Sequence, residues 1–225
     1  MRQHSGFTFF EVLVVLLLFL ILATLSILTL APHRRQVKTD DAASAVFTLM
    51  RQARIQAITR RQFYAVVINT AGTDQTIPLN NSTKNIKFNS KSVSLVDMGS
   101  ITTQTDEEIS LSKKIPVDVN VNVRTDTPDP NTTFPIPERS FPILNLSSSS
   151  PSGSFVCYFD PSGRAMNAAD GSGVQVYYTF YFSALDINMT KSPTLMRAVT
   201  LYGATGGLRF WRYTPSLTQW STQTL

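Results

Sequence analysis

The sequence predicts an α+β chain in which one long N-terminal helix packs on a C-terminal antiparallel β-sheet head. Three observations carry this reading. Residues 7–31 are apolar except for Thr8, Glu11, Thr24, Ser26 and Thr29, and as a helix they cover roughly 37 Å. Residues 37–61 then place small apolar side chains at steps of three and four, the period of a helix with one packed face. From Phe63 onward, short apolar or alternating runs are separated by Pro, Gly, Asp and Ser, the pattern of strands joined by turns.

The first segment is long enough to cross a bilayer with some tilt. A plain membrane anchor leaves Glu11 unexplained, because an ionised acid inside a spanning helix costs about 2.5 kcal/mol or more. A cleaved secretory signal ending at Thr29-Leu30-Ala31 is a second alternative, but the apolar run is too long for one. A buried core helix is the third, and it rarely carries so long an apolar stretch. None of these accounts for the order of the pieces: a basic leader with Arg2, a small residue Gly6 directly before the aromatic Phe7, and an acid at the fifth position after that junction.

That order, Gly6-Phe7-Thr8-Phe9-Phe10-Glu11-Val12-Leu13, resembles the class III signal of type IV prepilins and pseudopilins, G-F-[ST]-L-x-E followed by an apolar helix. Phe9 and Phe10 replace the commoner aliphatic residues. The resemblance implies the pilin fold and cleavage by a prepilin peptidase between Gly6 and Phe7. It also implies methylation of the new Phe7 amine, with residues 1–6 lost as a leader and 7–31 kept as a transmembrane and assembly helix. It implies a role for Glu11 too: its carboxylate pairs with the Phe7 amine of a neighbouring subunit. Unpaired in lipid, the acid would be costly.

Charge and composition narrow the rest. Arg34, Arg35 and Lys38 after the span outnumber Arg2 before it, so the positive-inside rule alone orients the chain the wrong way round for cytoplasmic processing at Gly6. The resemblance overrides it here, placing the head in the periplasm on the inner membrane. A net charge of +5 permits an anionic partner without demanding one. The lone Cys157, inside the apolar run Phe155 to Phe159, excludes an intrachain disulfide and reads as a core residue.

Pro32 is expected to break or kink the helix at the membrane surface, with residues 32–62 forming an amphipathic second half. There Ala42, Ala45, Val46, Leu49, Ala53 and Ala57 make a narrow stripe of mostly small residues against which a sheet can pack closely. The stretch Leu49-Met50-Arg51-Gln52-Ala53-Arg54-Ile55-Gln56-Ala57-Ile58-Thr59-Arg60, running into Phe63-Tyr64-Ala65-Val66-Val67-Ile68, resembles the L-x-x-A-R-x-x-A-I-x-R and strand pattern of the GspH/FimT group. These are minor pseudopilins of type II secretion and minor pilins of type IV pili.

Residues 63–225 form the head, with a variable insertion at about 69–154, rich in Ser, Thr, Asn and Pro. Inside it, Ile115, Val117, Val119, Val121 and Val123 alternate with polar residues, a period of two that predicts one strand with a buried face. Pro116 puts its start at a sheet edge. Ser92 to Met98 is a second strand candidate; 125–142 and 147–153 carry the Pro and Ser runs of loops.

Four apolar strands follow: Phe155 to Phe159, Val174 to Phe182, Leu195 to Tyr202, and Leu208 to Tyr213. Aromatic residues at 177, 178, 180, 181 and 182 would populate both faces of the second, so both faces are expected to be covered. Phe159-Asp160-Pro161-Ser162-Gly163-Arg164-Ala165 is similar to the F-x-P-D-G-x-A turn of the GspH/FimT group, and Val199 to Leu208-Arg209 to its closing hairpin. The DNA-binding members carry G-R-x-R in that hairpin, and Gly207 stands here in place of the first arginine. Arg209, Arg212 and Trp211 are the candidate DNA contacts, because cations beside aromatic rings suit nucleic-acid backbones. Alternation along one strand divides them between two faces, which limits how many phosphates they neutralise.

No enzyme is expected. The two histidines are His4 and His33, so the head holds none for a catalytic triad or a His-based metal site. No cofactor is implied either. Asp126 and Asp129 fall short of the six or more oxygens that Ca²⁺ takes, and Asp106-Glu107-Glu108 reads as a solvated turn. The expected function is a minor pilin or pseudopilin, working with a prepilin peptidase, other pilin subunits and the inner membrane. The alternatives are a DNA-uptake pilin and a solitary membrane-anchored binding domain.

Overall fold

A computed structural model describes residues 8–79, 85–101, 103, 105, 110–124, 153–167, 173, 175, 177–184, 195–214 and 219–223. Its frame is a single helix, α1, Phe9–Arg60, about 78 Å long at 1.5 Å per residue. Of the break or kink expected at Pro32, the break does not occur: the helix runs through it. Proline removes one backbone N–H and so one bond of the ladder; the apolar turns before it and the packed turns after it hold their own helical bonds.

The helix ends on Arg61, a left-handed residue (φ 54°, ψ 40°) at a position where glycine is usual. A polar cluster fixes that end to the sheet. Asp97 accepts hydrogen bonds from Gln62 Nε2 (2.7 Å) and Tyr64 OH (3.0 Å), with Arg60 Nη1 at 3.3 Å.

Two antiparallel sheets flank the second half of α1. The first has the order β5–β4–β1–β7–β8, where β1 is Tyr64–Asn69, β4 Ser92–Asp97, β5 Ser110–Lys114, β7 Ser154–Phe159 and β8 Ala165–Met166. The second has the order β12–β11–β10–β9–β6, built from β6 Val119–Arg124, β9 Tyr177–Ala184, β10 Arg197–Tyr202, β11 Gly207–Thr214 and β12 Gln219–Gln223. A hairpin of β2 (Gln75–Pro78) and β3 (Asn85–Phe88) completes the head.

The core follows from the period of two. Val66, Ile68, Val93, Leu95, Phe155 and Cys157 of the first sheet turn toward the helix stripe Ala42, Val46, Leu49, Ala53 and Ala57. Val121, Phe180, Val199 and Phe210 of the second sheet do the same. The small helix side chains let both sheets approach closely. On the far side of the first sheet, Ala65, Val67, Val96 and Tyr158 meet Ile77, Ile86 and Phe88 of the hairpin. The other face of the second sheet buries Tyr181, Ala198, Tyr213 and Trp220. The strand with aromatic residues on both faces, β9, is therefore covered on both.

The alternating run from Ile115 to Arg124 is not one strand. β5 ends at Lys114, Ile115 is buried, Val117 stands 81% exposed, and β6 starts at Val119, whose N–H donates to Pro116 O at 3.0 Å. Proline has no N–H for a ladder and restricts the residue before it, so here the chain leaves the first sheet and joins the second. Both strands are edges of their sheets among the described residues. The segment read as an insertion, 69–154, thus contributes β2 to β6. The proposed loops at 125–142 and 147–152 lie outside the described residues, as do Gly6, Phe7, Asp106 to Glu108, Asp126 and Asp129.

Candidate functional site

The N-terminus of α1 is built by two residues. Thr8 is the N-cap, in extended backbone geometry, and Glu11 is the third helical residue. Thr8 Oγ1 accepts from the Glu11 N–H (3.3 Å), while Glu11 Oε2 accepts from the Thr8 N–H (2.9 Å) and the Thr8 hydroxyl (3.0 Å). This reciprocal cap satisfies amides that a helix start leaves without partners and puts a negative charge at the positive end of the helix dipole. Glu11 Oε1 accepts nothing among the described residues, so half the carboxylate stays open. The spacing T-x-x-E is a capping signature, and the sequence reading, which gave Glu11 only its pairing with a neighbour, missed this local role.

From Phe9 to Ser26 the helix has a mean hydropathy of 2.7 and none of it is buried. By length and composition it is able to cross a membrane. Its apolar side chains, among them Phe9, Phe10, Leu16, Phe19, Leu20 and Leu22, are exposed all round the axis, a surface that in water demands a partner. Thr24 within it donates its hydroxyl to Ile21 O at 2.8 Å, so that polar atom is met inside the helix, as an apolar surrounding requires.

Where the bare half meets the packed half, ion pairs tie the helix to the second sheet. Lys38 Nζ lies 2.9 Å from Asp118 Oδ2 in the turn before β6. Asp40 receives Arg197 of β10 in a two-pronged pair, Nε to Oδ1 and Nη2 to Oδ2 (3.2 Å), and Arg197 Nη1 donates to Met196 O at 2.8 Å. Arg197 is 0% exposed. Sequence reasoning read Arg197 only as part of an apolar strand; its partner is 157 positions away, so no local signal pointed to it.

The candidate DNA contacts fall as alternation dictates. Arg209 pairs across with Thr200 and Trp211 with Ala198, both on the face turned away from α1. There Arg209 sits over the Tyr202 ring (5.5 Å to the centroid) and Trp211 Nε1 donates to Thr200 Oγ1 at 2.9 Å. Arg212 pairs with Arg197 and Ser221 on the opposite face. The two arginines are therefore separated by the sheet.

Cys157 is buried in the core, and burial pushes its thiol pKa up, which keeps it protonated and unreactive. Among the described residues no cluster of His, Cys, Asp and Glu could hold a metal ion.

Residues 1–27 match the family model of the prokaryotic N-terminal methylation motif. That motif marks a type IV pilin-like precursor, with processing by a prepilin peptidase, assembly with other pilins and anchoring in a membrane through the apolar helix. No curated protein and no solved structure matches the chain.

Proposed function

We propose that this chain is a minor pilin or pseudopilin of the GspH/FimT group. It serves as a structural subunit of a type II secretion pseudopilus or a type IV pilus and has no catalysis of its own. The observation that carries the reading is the division of α1: an apolar half with no cover, lying within a methylation motif, and a second half buried by the head. Cleavage between Gly6 and Phe7 frees the Phe7 amine, and Glu11 offers its open Oε1 to the amine of a neighbouring subunit. Pairing neutralises two charges that would each be costly in an apolar bundle. The helix stands in the inner membrane with the head in the periplasm until the subunit is drawn into a filament or its tip. DNA uptake has less support, because Arg209 and Arg212 point to opposite faces of one sheet and few phosphates are neutralised at once.

Two measurements test this. Intact mass from hosts with and without an active prepilin peptidase should give a methylated Phe7 start only in the first; an unprocessed leader in both would leave an anchored β-domain. Glu11→Gln should lose filament incorporation while keeping the cap, since Gln at that position still bonds back to the N-cap amide. Wild-type incorporation of Glu11→Gln would refute the charge pair.

A further inference from the structure

Between α1 and the β10–β11 turn lies a pocket of about 340 Å³, lined by Phe47, Arg51, Arg54 and Ile55 of the helix, Gly206 of the turn and Leu208 of β11. Its volume is that of a small-ligand site. Two arginines line it and no acid does. Several basic side chains elsewhere close onto carboxylates: Lys38 on Asp118, Arg60 on Asp97, Lys87 on Asp74 and Arg164 on Asp160. Arg51 and Arg54 have no hydrogen bond or ion pair among the described residues, and Arg54 Nε is shielded from solvent with no acceptor. A buried charged donor is costly to leave unmet.

Arg54 is also held in place. A Cβ on Gly163 would lie 3.4 Å from Arg54 Cγ, and one on Gly206 would lie 3.1 Å from Arg54 Cδ. Both glycines have positive φ, +82° and +60°, the region that disfavours side chains. Two turns thus close over the arginine stem, so its guanidinium loses little freedom on binding. The remaining walls are apolar. Phe47, set edge-on against Phe210 at 6.1 Å, stands with Ile55 and Leu208. A bare oxyanion would satisfy the arginines and leave these walls wet.

We propose that this pocket binds a protein partner through a segment that presents a carboxylate beside an aliphatic side chain. The carboxylate sits between Arg51 and Arg54, and the aliphatic group lies against Phe47, Ile55 and Leu208. Binding here is independent of leader cleavage and of Glu11, so it succeeds or fails apart from the assembly role.

The test titrates acetyl-Leu-Glu-Leu-amide into the full chain in detergent micelles and follows the arginine Nε–H resonances by NMR. A saturable shift of the Arg54 Nε–H signal is expected. Affinity should fall about tenfold for acetyl-Leu-Gln-Leu-amide and for Arg51→Gln, which each remove one side of a charge-assisted contact. The peptide comparison leaves the protein unaltered, so it holds whatever a variant does to folding. No saturable shift, or equal affinity for the two peptides, would overturn the proposal. Inorganic phosphate giving the same shift at the same concentration would overturn it in favour of a simple oxyanion site. Tighter binding of a short oligothymidylate, lost in Arg51→Gln, would overturn it in favour of nucleic acid.

Discussion

Substituting Asp40→Asn takes a carboxylate away from the buried charge of Arg197. The guanidinium is wholly buried and keeps its bond to the Met196 carbonyl, but loses the two-pronged carboxylate. Breaking a buried ion pair from one side costs about 3–5 kcal/mol. The Asp40 side chain is 42% exposed, so water already screens one end of the pair and the expected loss is smaller, about 2–3 kcal/mol. With a urea slope of about 2 kcal/mol per M for a head of this size, the unfolding midpoint should fall by about 1 M. Trp211 and Trp220, on β11 and β12 of the same sheet, report the transition by fluorescence in detergent micelles. The double variant Asp40→Asn/Arg197→Met removes the buried charge as well and should recover to within about 1 kcal/mol of wild type. A single variant costing less than about 0.5 kcal/mol, or a double variant no better than the single, would show that the pair does not fasten helix to sheet.

Three further outcomes are expected. Asp160 gathers donors from Ser162 N–H and hydroxyl (2.9 and 2.7 Å), Arg164 N–H (2.9 Å) and Arg164 Nε (2.8 Å); burial alone would raise its pKa, but these donors outweigh it and hold the carboxyl below its ordinary value. The stability it contributes is present above the unfolded value of about 3.9 and is lost as pH falls through the folded one, so the gap in urea midpoint between wild type and Asp160→Asn should close below about pH 4. Arg61→Gly should stabilise by about 0.5–1 kcal/mol by relieving a left-handed residue at the helix end, measured as a rise in the urea midpoint. Ala53→Leu should cost about 1–3 kcal/mol by overpacking the helix stripe, read as a lower melting temperature by circular dichroism.

The sequence made β7, β10 and β11 legible because each is an apolar run ended by Asp, Pro or Gly, signals that operate over a few residues. The helix stripe was legible for the same reason, its small residues recurring at one period. β12 was not. Of Gln219 to Gln223 only Trp220 is apolar, and the strand exists because it pairs with β11 and packs Trp220 on Tyr181 and Tyr213. The hairpin strands β2 and β3 are four residues each, too short for a period to show. Pro116 was read as a strand start when its effect is to separate two strands, because nothing local says that the polar Ser110 to Lys114 pairs with β4. At the site, Thr8 and Glu11 lie three positions apart, so the cap between them had a local signal that the sequence reading passed over. The Asp40–Arg197 pair and the pocket between α1 and the β10–β11 turn come from residues distant in the chain.

The distance of 157 positions between Asp40 and Arg197 also sets an order in time. The stripe from Ala42 to Ala57 is synthesised early, but its cover on one side waits for β9, β10 and β11. Contacts this remote in sequence form slowly, because the intervening chain must be closed before they repay the entropy. The packed half of the helix is therefore made well before its cover is complete. During that interval its second-sheet side is open to proteases and to other unfinished chains.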